Sequence, residues 1–326
     1  MANIYVTRKI PDAGLKLLEE KFGKIEVNEE DRILSKEELM QKVKGRDAIL
    51  SLLTDNVDED VIIAAGPQCK IFANYAVGFN NINIEAATKH GVMVSNTPGV
   101  LTDTTADLAI SLMFAVARRL AEGDRYMRAG NYKFWGPLLM LGKEITNKTI
   151  GIIGAGRIGS NIAYKMHKGF NMKVVYHDRN VKPEIEKDLN AVRVDLDTLC
   201  READYIFINM NYVPETHHLI NEANIKLMRP DTVIINTARG PIIEEKALVK
   251  ALKEKRIFGA GLDVYENEPQ MEEGLADLYN VVLEPHIGSA TIETRNNMSV
   301  IAAKNIIQAL SGETPESLVN PEVLNK

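Results

Sequence analysis

The stretch Thr149-Ile150-Gly151-Ile152-Ile153-Gly154-Ala155-Gly156-Arg157-Ile158-Gly159 constrains the fold more than any other part of the chain. A short apolar strand runs into Gly-x-Gly-x-x-Gly, and a helix-like run, Ser160 to Lys168, follows. Apolar Val174-Val175-Tyr176 comes next and closes on Asp178, 19 residues past Gly159. Strand, glycine turn, helix, strand and acid in that order form a unit for holding a dinucleotide. Gly154 permits the tight turn, and Gly156 lets the backbone approach a pyrophosphate. Gly159 lets the helix pack close on the strand. The helix start offers N–H groups and a positive dipole end, so Ala155, Arg157 and Ile158 join the glycines as expected cofactor contacts. Asp178 ends the second strand, where a carboxylate can accept both ribose hydroxyls. That favours NAD(H) and disfavours NADP(H).

Strand-like and helix-like segments alternate along the whole chain. Asn3–Val6, Ala48–Leu52, Ile71–Asn74 and Val92–Val94 read as strands, with helix-like Asp12–Lys21 and Lys36–Val43 between them. A second set follows at Thr149–Ile153, Lys173–Tyr176, Tyr205–Ile208, Thr232–Ile235, Gly259–Leu262 and Val281–Leu283. Such alternation predicts parallel sheets flanked by helices. Two sets predict two Rossmann-like α/β domains. The glycine motif belongs to the second, so the first must serve something other than the cofactor. Turn-rich Ser95–Gly99 and the segment Ile287–Thr291 are the expected crossings. The helix-like run Ile292–Leu310 then returns to the first domain, making it discontinuous. The expected division is residues 1–98 with 290–326 for substrate and residues 99–289 for NAD, with a cleft between.

The bulk numbers narrow the partners. Of 326 residues, 45% are hydrophobic and 26% charged, a globular balance. A net charge of −6 argues against a nucleic-acid partner. The two cysteines, Cys69 and Cys200, have no metal-ligand spacing, so no metal is expected. The most apolar run, Leu108 to Ala117, is ten residues and too short for a membrane span. The first residues run straight into a strand with no basic leader, so a cytoplasmic address is expected.

Downstream of the glycine loop, three strands end in polar residues. They are Ile234 to Gly240 with Thr237 and Arg239, Gly261 to Pro269 with Asp263 and Glu268, and Val281 to Gly288 with His286. In an open α/β sheet the ligand crevice lies at the carboxyl ends of the strands. Arginine, carboxylate and histidine there suit reduction of a 2-oxo acid. A histidine supplies the proton for the carbonyl oxygen near neutral pH. A neighbouring carboxylate orients an imidazole and favours its charged form. A guanidinium holds the substrate carboxylate and polarises the carbonyl. His90, His167, His177, His217 and His218 sit in no comparable block.

These blocks resemble the D-isomer-specific 2-hydroxyacid dehydrogenase family over essentially the whole chain. The arginine motif matches Asn236-Thr237-Ala238-Arg239-Gly240, and the carboxylate motif matches Asp263 through Pro269. The histidine motif matches Pro285-His286-Ile287-Gly288-Ser289-Ala290-Thr291. The resemblance implies that Arg239 binds substrate, Glu268 partners the histidine and His286 donates the proton. It chooses Glu268 over Glu266, because Glu268 directly precedes Pro269. It implies that Asp263 holds the nicotinamide carboxamide, and that Thr237 and Gly288 line the cofactor. In the first domain it marks the loop Asn74 to Asn83, with Val77 and Gly78 binding the substrate carboxylate through backbone N–H groups. One departure is Asn211-Tyr212-Val213-Pro214-Glu215-Thr216, where the family usually shows Pro-Leu-Thr-Pro. Asn211 and Thr216 are therefore weaker cofactor expectations than the glycine loop.

The loop wording is most similar to the branch that reduces glyoxylate and hydroxypyruvate. The resemblance thus implies NADH-dependent formation of glycolate and D-glycerate. D-3-phosphoglycerate dehydrogenases, and non-enzymatic NAD(H)-sensing binding proteins of the same fold, are the alternatives. Thr102 to Leu120 reads as one long helix, apolar on almost every face, and so predicts a homodimer built on the cofactor domain. Trp135, the only tryptophan, follows that helix. In similar reductases a tryptophan in this segment reaches the partner's cleft, which makes Trp135 a candidate substrate contact.

Overall fold

The computed structural model describes residues 2–325. The chain divides into two compact units, Met1–Leu101 with Ser289–Lys326, and Thr102–Gly288. Both are built on parallel sheets flanked by helices, as the alternation predicts.

The first unit runs β1 (Ile4–Val6), α1 (Asp12–Phe22), β2 (Glu26–Val27), α2 (Lys36–Val43), β3 (Ala48–Ser51), α3 (Glu59–Ala65), β4 (Ile71–Asn74), α4 (Ile84–Lys89) and β5 (Met93–Ser95). Its strand order is β2-β1-β3-β4-β5, all parallel. β3 and β4 are buried along their whole length, which is why they read as unbroken apolar runs rather than alternating ones. Helix starts are specified locally. Ser35 and Glu38 form a reciprocal capping box on α2, and Asp58 and Asn83 cap α3 and α4.

The second unit begins with α5 (Thr102–Ala117) and α6 (Leu120–Arg128). It continues with β6 (Thr149–Ile153), α7 (Arg157–Phe170), β7 (Lys173–His177), α8 (Pro183–Leu189), β8 (Val192–Arg193), α9 (Leu196–Glu202) and β9 (Tyr205–Ile208). α10 (Glu222–Leu227), β10 (Val233–Asn236), α11 (Glu245–Lys253), β11 (Gly259–Leu262) and β12 (Val281–Leu283) complete it. The sheet order is β12-β11-β10-β9-β6-β7-β8. The chain thus starts mid-sheet at β6, builds outward to β8, then crosses to β9 on the other side. That reversal is a topological switch point, where α/β sheets bind ligands. Alternate residues of each strand feed opposite cores. Tyr205, Phe207, Val233 and Ile235 face α5 and α7, while Ile206, Ile208 and Ile234 face α9 to α11. The last helix, α12 (Ile292–Leu310), belongs to the first unit, where it packs on α1 and on β4.

One expected element differs. The run Thr102–Leu120 is not a single helix, because Arg119 takes φ +54° and separates α5 from α6. Nor is α5 apolar all round. Asp103, Asp107 and Ser111, four residues apart, form an exposed polar stripe, and Lys165 of α7 pairs with both aspartates. Among the described residues no helix is long and apolar enough to cross a membrane.

Candidate active site

The carboxyl ends of the second sheet gather most of the residues that the sequence singles out. After β6, Gly154 turns the chain at φ +89°, and a Cβ there would press on Met210 and the Asn209 backbone. A Cβ on Gly159 would overlap the Gly154 carbonyl oxygen and crowd Ile152, so only glycine lets α7 sit this close to β6. Gly156 is different: a Cβ there would meet nothing within 4 Å. It is the N-cap of α7 and supplies no side-chain cap to the first N–H groups of the helix. Asp178, just past β7, accepts hydrogen bonds from Ala155 N–H and Asn180 N–H, each 3.0 Å, and lies 3.5 Å from Lys182 Nζ. These residues fit a dinucleotide: an uncapped helix start, space beside Gly156 and an acid touching the glycine turn.

Asn209, immediately after β9, joins the site although no sequence motif marks it. Its amide donates to Thr237 Oγ1 at 3.2 Å, and its Oδ1 is buried without a partner among the described residues. A buried acceptor left open beside the glycine turn is a ligand-facing feature. The available signal was its position, since Asn209 faces β6 across the switch point. Asn211 is exposed, whereas the Thr216 hydroxyl is used locally, bonding Val213 and the Asn211 carbonyl to close its own turn.

Three segments past β10, β11 and β12 bring the acid–base groups together. His286 Nδ1 lies 2.9 Å from Glu268 Oε2, and Glu268 Oε1 accepts the Tyr265 N–H at 3.1 Å. Burial by itself would raise the Glu268 carboxyl. The His286 hydrogen bond and charge, the Tyr265 N–H and the Arg239 charge outweigh burial and hold it below the usual carboxylate value. An ionised Glu268 fixes the proton on His286 Nδ1 and leaves Nε2 as the reactive nitrogen. His286 sits at φ +56°, a conformation that costs free energy in a non-glycine residue and that clusters at functional sites. Burial lowers the Arg239 guanidinium below its ordinary value, opposed by Glu268, and its Nη1 donates to the Ala238 carbonyl at 2.7 Å. Arginine nonetheless stays charged.

Asp263 holds the histidine segment in place. It is fully buried, and its two oxygens accept the Ile287 N–H at 2.6 Å and the Gly288 N–H at 2.8 Å. Burial pushes its carboxyl above the ordinary range despite those donors. A Cβ on Gly288 would come 3.0 Å from Asp263 Oδ2, so the absence of a side chain helps this close contact.

Val77, Gly78 and Trp135 are the remaining predicted residues. Val77 and Gly78 belong to the first unit, in the turn after β4. Their carbonyls accept from Asn96 Nδ2 at 2.8 Å and Asn74 Nδ2 at 3.0 Å, and neither N–H has an acceptor among the described residues. Trp135 is 75% exposed, in a segment where Phe134 and Leu138 are exposed as fully.

A glycine turn at a switch point, an acid touching it, and an arginine with a histidine–carboxylate pair at neighbouring strand ends define a dinucleotide-dependent oxidoreductase. Residues 110–288 match the model of the D-isomer specific 2-hydroxyacid dehydrogenase NAD binding domain. A glyoxylate reductase of Thermococcus litoralis is 49% identical over 325 residues, 98% of this chain and 97% of that protein. Among solved structures, a glyoxylate reductase from Paecilomyes thermophila is 32% identical with a TM-score of 0.87, covering 98% of each chain. An NADPH-dependent glyoxylate/hydroxypyruvate reductase from Sinorhizobium meliloti is 29% identical with a TM-score of 0.84, covering 99% of this chain and 98% of that one. The chain belongs to the D-isomer-specific 2-hydroxyacid dehydrogenase family, enzymes that use a nicotinamide dinucleotide.

Proposed function

We propose that this dehydrogenase reduces glyoxylate and hydroxypyruvate to glycolate and D-glycerate, with NADH as its preferred cofactor. The observation that carries the reading is the His286–Glu268 pair at 2.9 Å, with Arg239 close enough for its charge to act on Glu268. Similarity to glyoxylate reductases of nearly the same length supports the substrate class.

The glycine turn, Asp178, Asn209, Thr237 and the uncapped start of α7 would hold the dinucleotide. Bound there, the nicotinamide supplies a hydride to the carbonyl carbon. Arg239 engages the substrate carboxylate and polarises the carbonyl. In the first unit, Val77 and Gly78 offer backbone N–H groups to a substrate carboxylate. His286 delivers a proton from Nε2 to the carbonyl oxygen, while Glu268 steadies the imidazole through Nδ1. Asp263 keeps the His286 segment in position and retains lone pairs for a carboxamide donor.

Asp178 supports the NADH preference, because a carboxylate repels a 2′-phosphate. Lys182 beside it weakens that repulsion. A cytoplasmic homodimer fits the exposed apolar segment around Phe134, Trp135 and Leu138, with Trp135 bordering the partner's substrate site. Purified protein mixed with NADH and glyoxylate should lose absorbance at about 340 nm, the band of a reduced nicotinamide. No loss with either substrate would overturn the reading.

A further inference from the structure

A second histidine–glutamate pair uses Glu266, two residues before Glu268. His218 Nε2 is 2.6 Å from Glu266 Oε1. Here too the histidine takes a positive φ, +50°. The two pairs are wired differently. The other oxygen of Glu266 accepts the Glu245 N–H at 3.0 Å, and the Glu266 N–H returns to Glu245 Oε2 at 3.0 Å. The His218 ring is stacked on that of His217, with centroids 3.9 Å apart. In this second pair His218 Nε2 and both Glu266 oxygens are engaged within the fold.

Its position is the informative part. The His218 N–H donates to the Pro241 carbonyl at 2.8 Å, two residues past Arg239. Gly240 lies so close to Tyr265 and Glu266 that a Cβ there would overlap the Tyr265 carbonyl. Tyr265 in turn donates its N–H to Glu268 and its hydroxyl to the Glu284 carbonyl at 2.9 Å, two residues before His286. His218 therefore grips the turn carrying Arg239 with its backbone and the turn carrying Glu268 with its ring. We propose that His218, acting through Glu266, is a positioning residue that sets Arg239 against the Glu268–His286 pair. The inference rests on the proposed roles of those three residues.

The test compares His218→Leu with His218→Gln, which restores an amide donor near the Nε2 position. Hydrogen exchange is read at the Tyr265 and Glu266 amides, and steady-state kinetics with NADH and glyoxylate are read alongside. His218→Leu should speed exchange at both amides, raise KM and lower kcat, with kcat/KM falling roughly ten- to hundredfold, the scale of a small misplacement of reacting groups. His218→Gln should recover most of that loss. Unchanged exchange in His218→Leu overturns the proposal. So does a fall in kcat alone that tracks a loss of folded protein. If His218→Leu does not fold, His218→Asn, which tolerates the left-handed backbone, is judged by the same criteria. An unmodified protein that leaves glyoxylate untouched refutes the substrate reading, and the exchange comparison then decides the clamp by itself.

Discussion

The two sheets share one plan and use it differently. In each, the first strand lies inside the sheet, the chain builds to one side and then crosses to the other. In the first unit the crevice at the strand ends is closed by its own side chains. The Thr7 hydroxyl donates to Asp55 Oδ2 at 2.5 Å, and the same oxygen accepts the Leu52 N–H at 2.7 Å. Asn81 donates to the Leu52 and Asp55 carbonyls, and Asn74 donates to the Gly78 carbonyl and to Asn81. The chain leaves β1 through Thr7-Arg8-Lys9-Ile10-Pro11 without a glycine. In the second unit the corresponding crevice has an uncapped helix, space beside Gly156 and an unpartnered Asn209 oxygen. Between β1 and β3 the polar groups named are satisfied internally, whereas between β6 and β9 Asn209 keeps an acceptor open for a ligand.

Replacing the groups at the second sheet's strand ends should break the comparison most severely. His286→Ala should lose roughly 10²–10⁴-fold in kcat, the scale of general acid catalysis, with nucleotide affinity unchanged. Asn81→Ala in the first unit should lower thermal stability and raise KM, with a far smaller effect on kcat. Equal losses in kcat from the two variants would refute the division of labour.

Next in size is the glycine turn. Gly159→Val would force α7 away from the Gly154 carbonyl. Overpacking of this kind costs about 1–3 kcal/mol, so NADH dissociation measured by protein fluorescence should weaken roughly five- to hundredfold. Unaltered affinity would show that close packing of α7 is irrelevant to the cofactor.

Cofactor choice should move less. Asp178→Ala removes the carboxylate and leaves Lys182, so the ratio of NADH to NADPH affinity should fall several-fold, toward or past unity, about 1 kcal/mol, the low end of what one altered contact is worth. A ratio that rises instead would contradict the role given to Asp178.

The smallest effects are in stability, and they have opposite signs in the two sheets. Burial raises the Asp55 carboxyl, despite the Leu52 N–H and the Thr7 hydroxyl. Its contribution is fully present below the unfolded value of about 3.9 and is lost as pH rises through the raised folded value. Glu268 is held low, so its contribution is present above about 4.3 and is lost as pH falls through the lowered value. Melting temperatures across pH should therefore show Asp55→Asn gaining on the parent as pH rises, and Glu268→Gln closing its deficit as pH falls. Parallel pH profiles for both variants and the parent would refute these assignments.

Much of this was legible in the chain because the relevant signals are local. Both sheets bury their inner strands on two faces, so Ile71–Asn74, Tyr205–Ile208 and Gly259–Leu262 show as short apolar runs at their observed bounds. The glycine turn is a single contiguous segment. The family's motifs each end a strand, and an α/β sheet delivers strand ends to one edge. What escaped was non-local or marginal. β2 and β8, two residues each, exist only because a neighbouring strand offers a ladder. The break at Arg119 lies inside a run whose propensities continue smoothly.

What the sequence determined by itself was therefore the alternation of elements, the nucleotide turn and the set of acid–base residues, all encoded within a few adjacent positions. The tertiary structure decided which of those groups remain available. Glu266 and Glu268 are near-twins in the chain. One is consumed by His218 and Glu245 and the other turned to His286, through bonds spanning 48 and 18 residues. Asn209 and Asn81 are both amides in loops that follow a strand. One keeps an open oxygen and the other spends its amide on neighbouring carbonyls. A hydrogen bond depends on where two segments meet in space, and sequence spacing carries no record of that until the sheet is assembled.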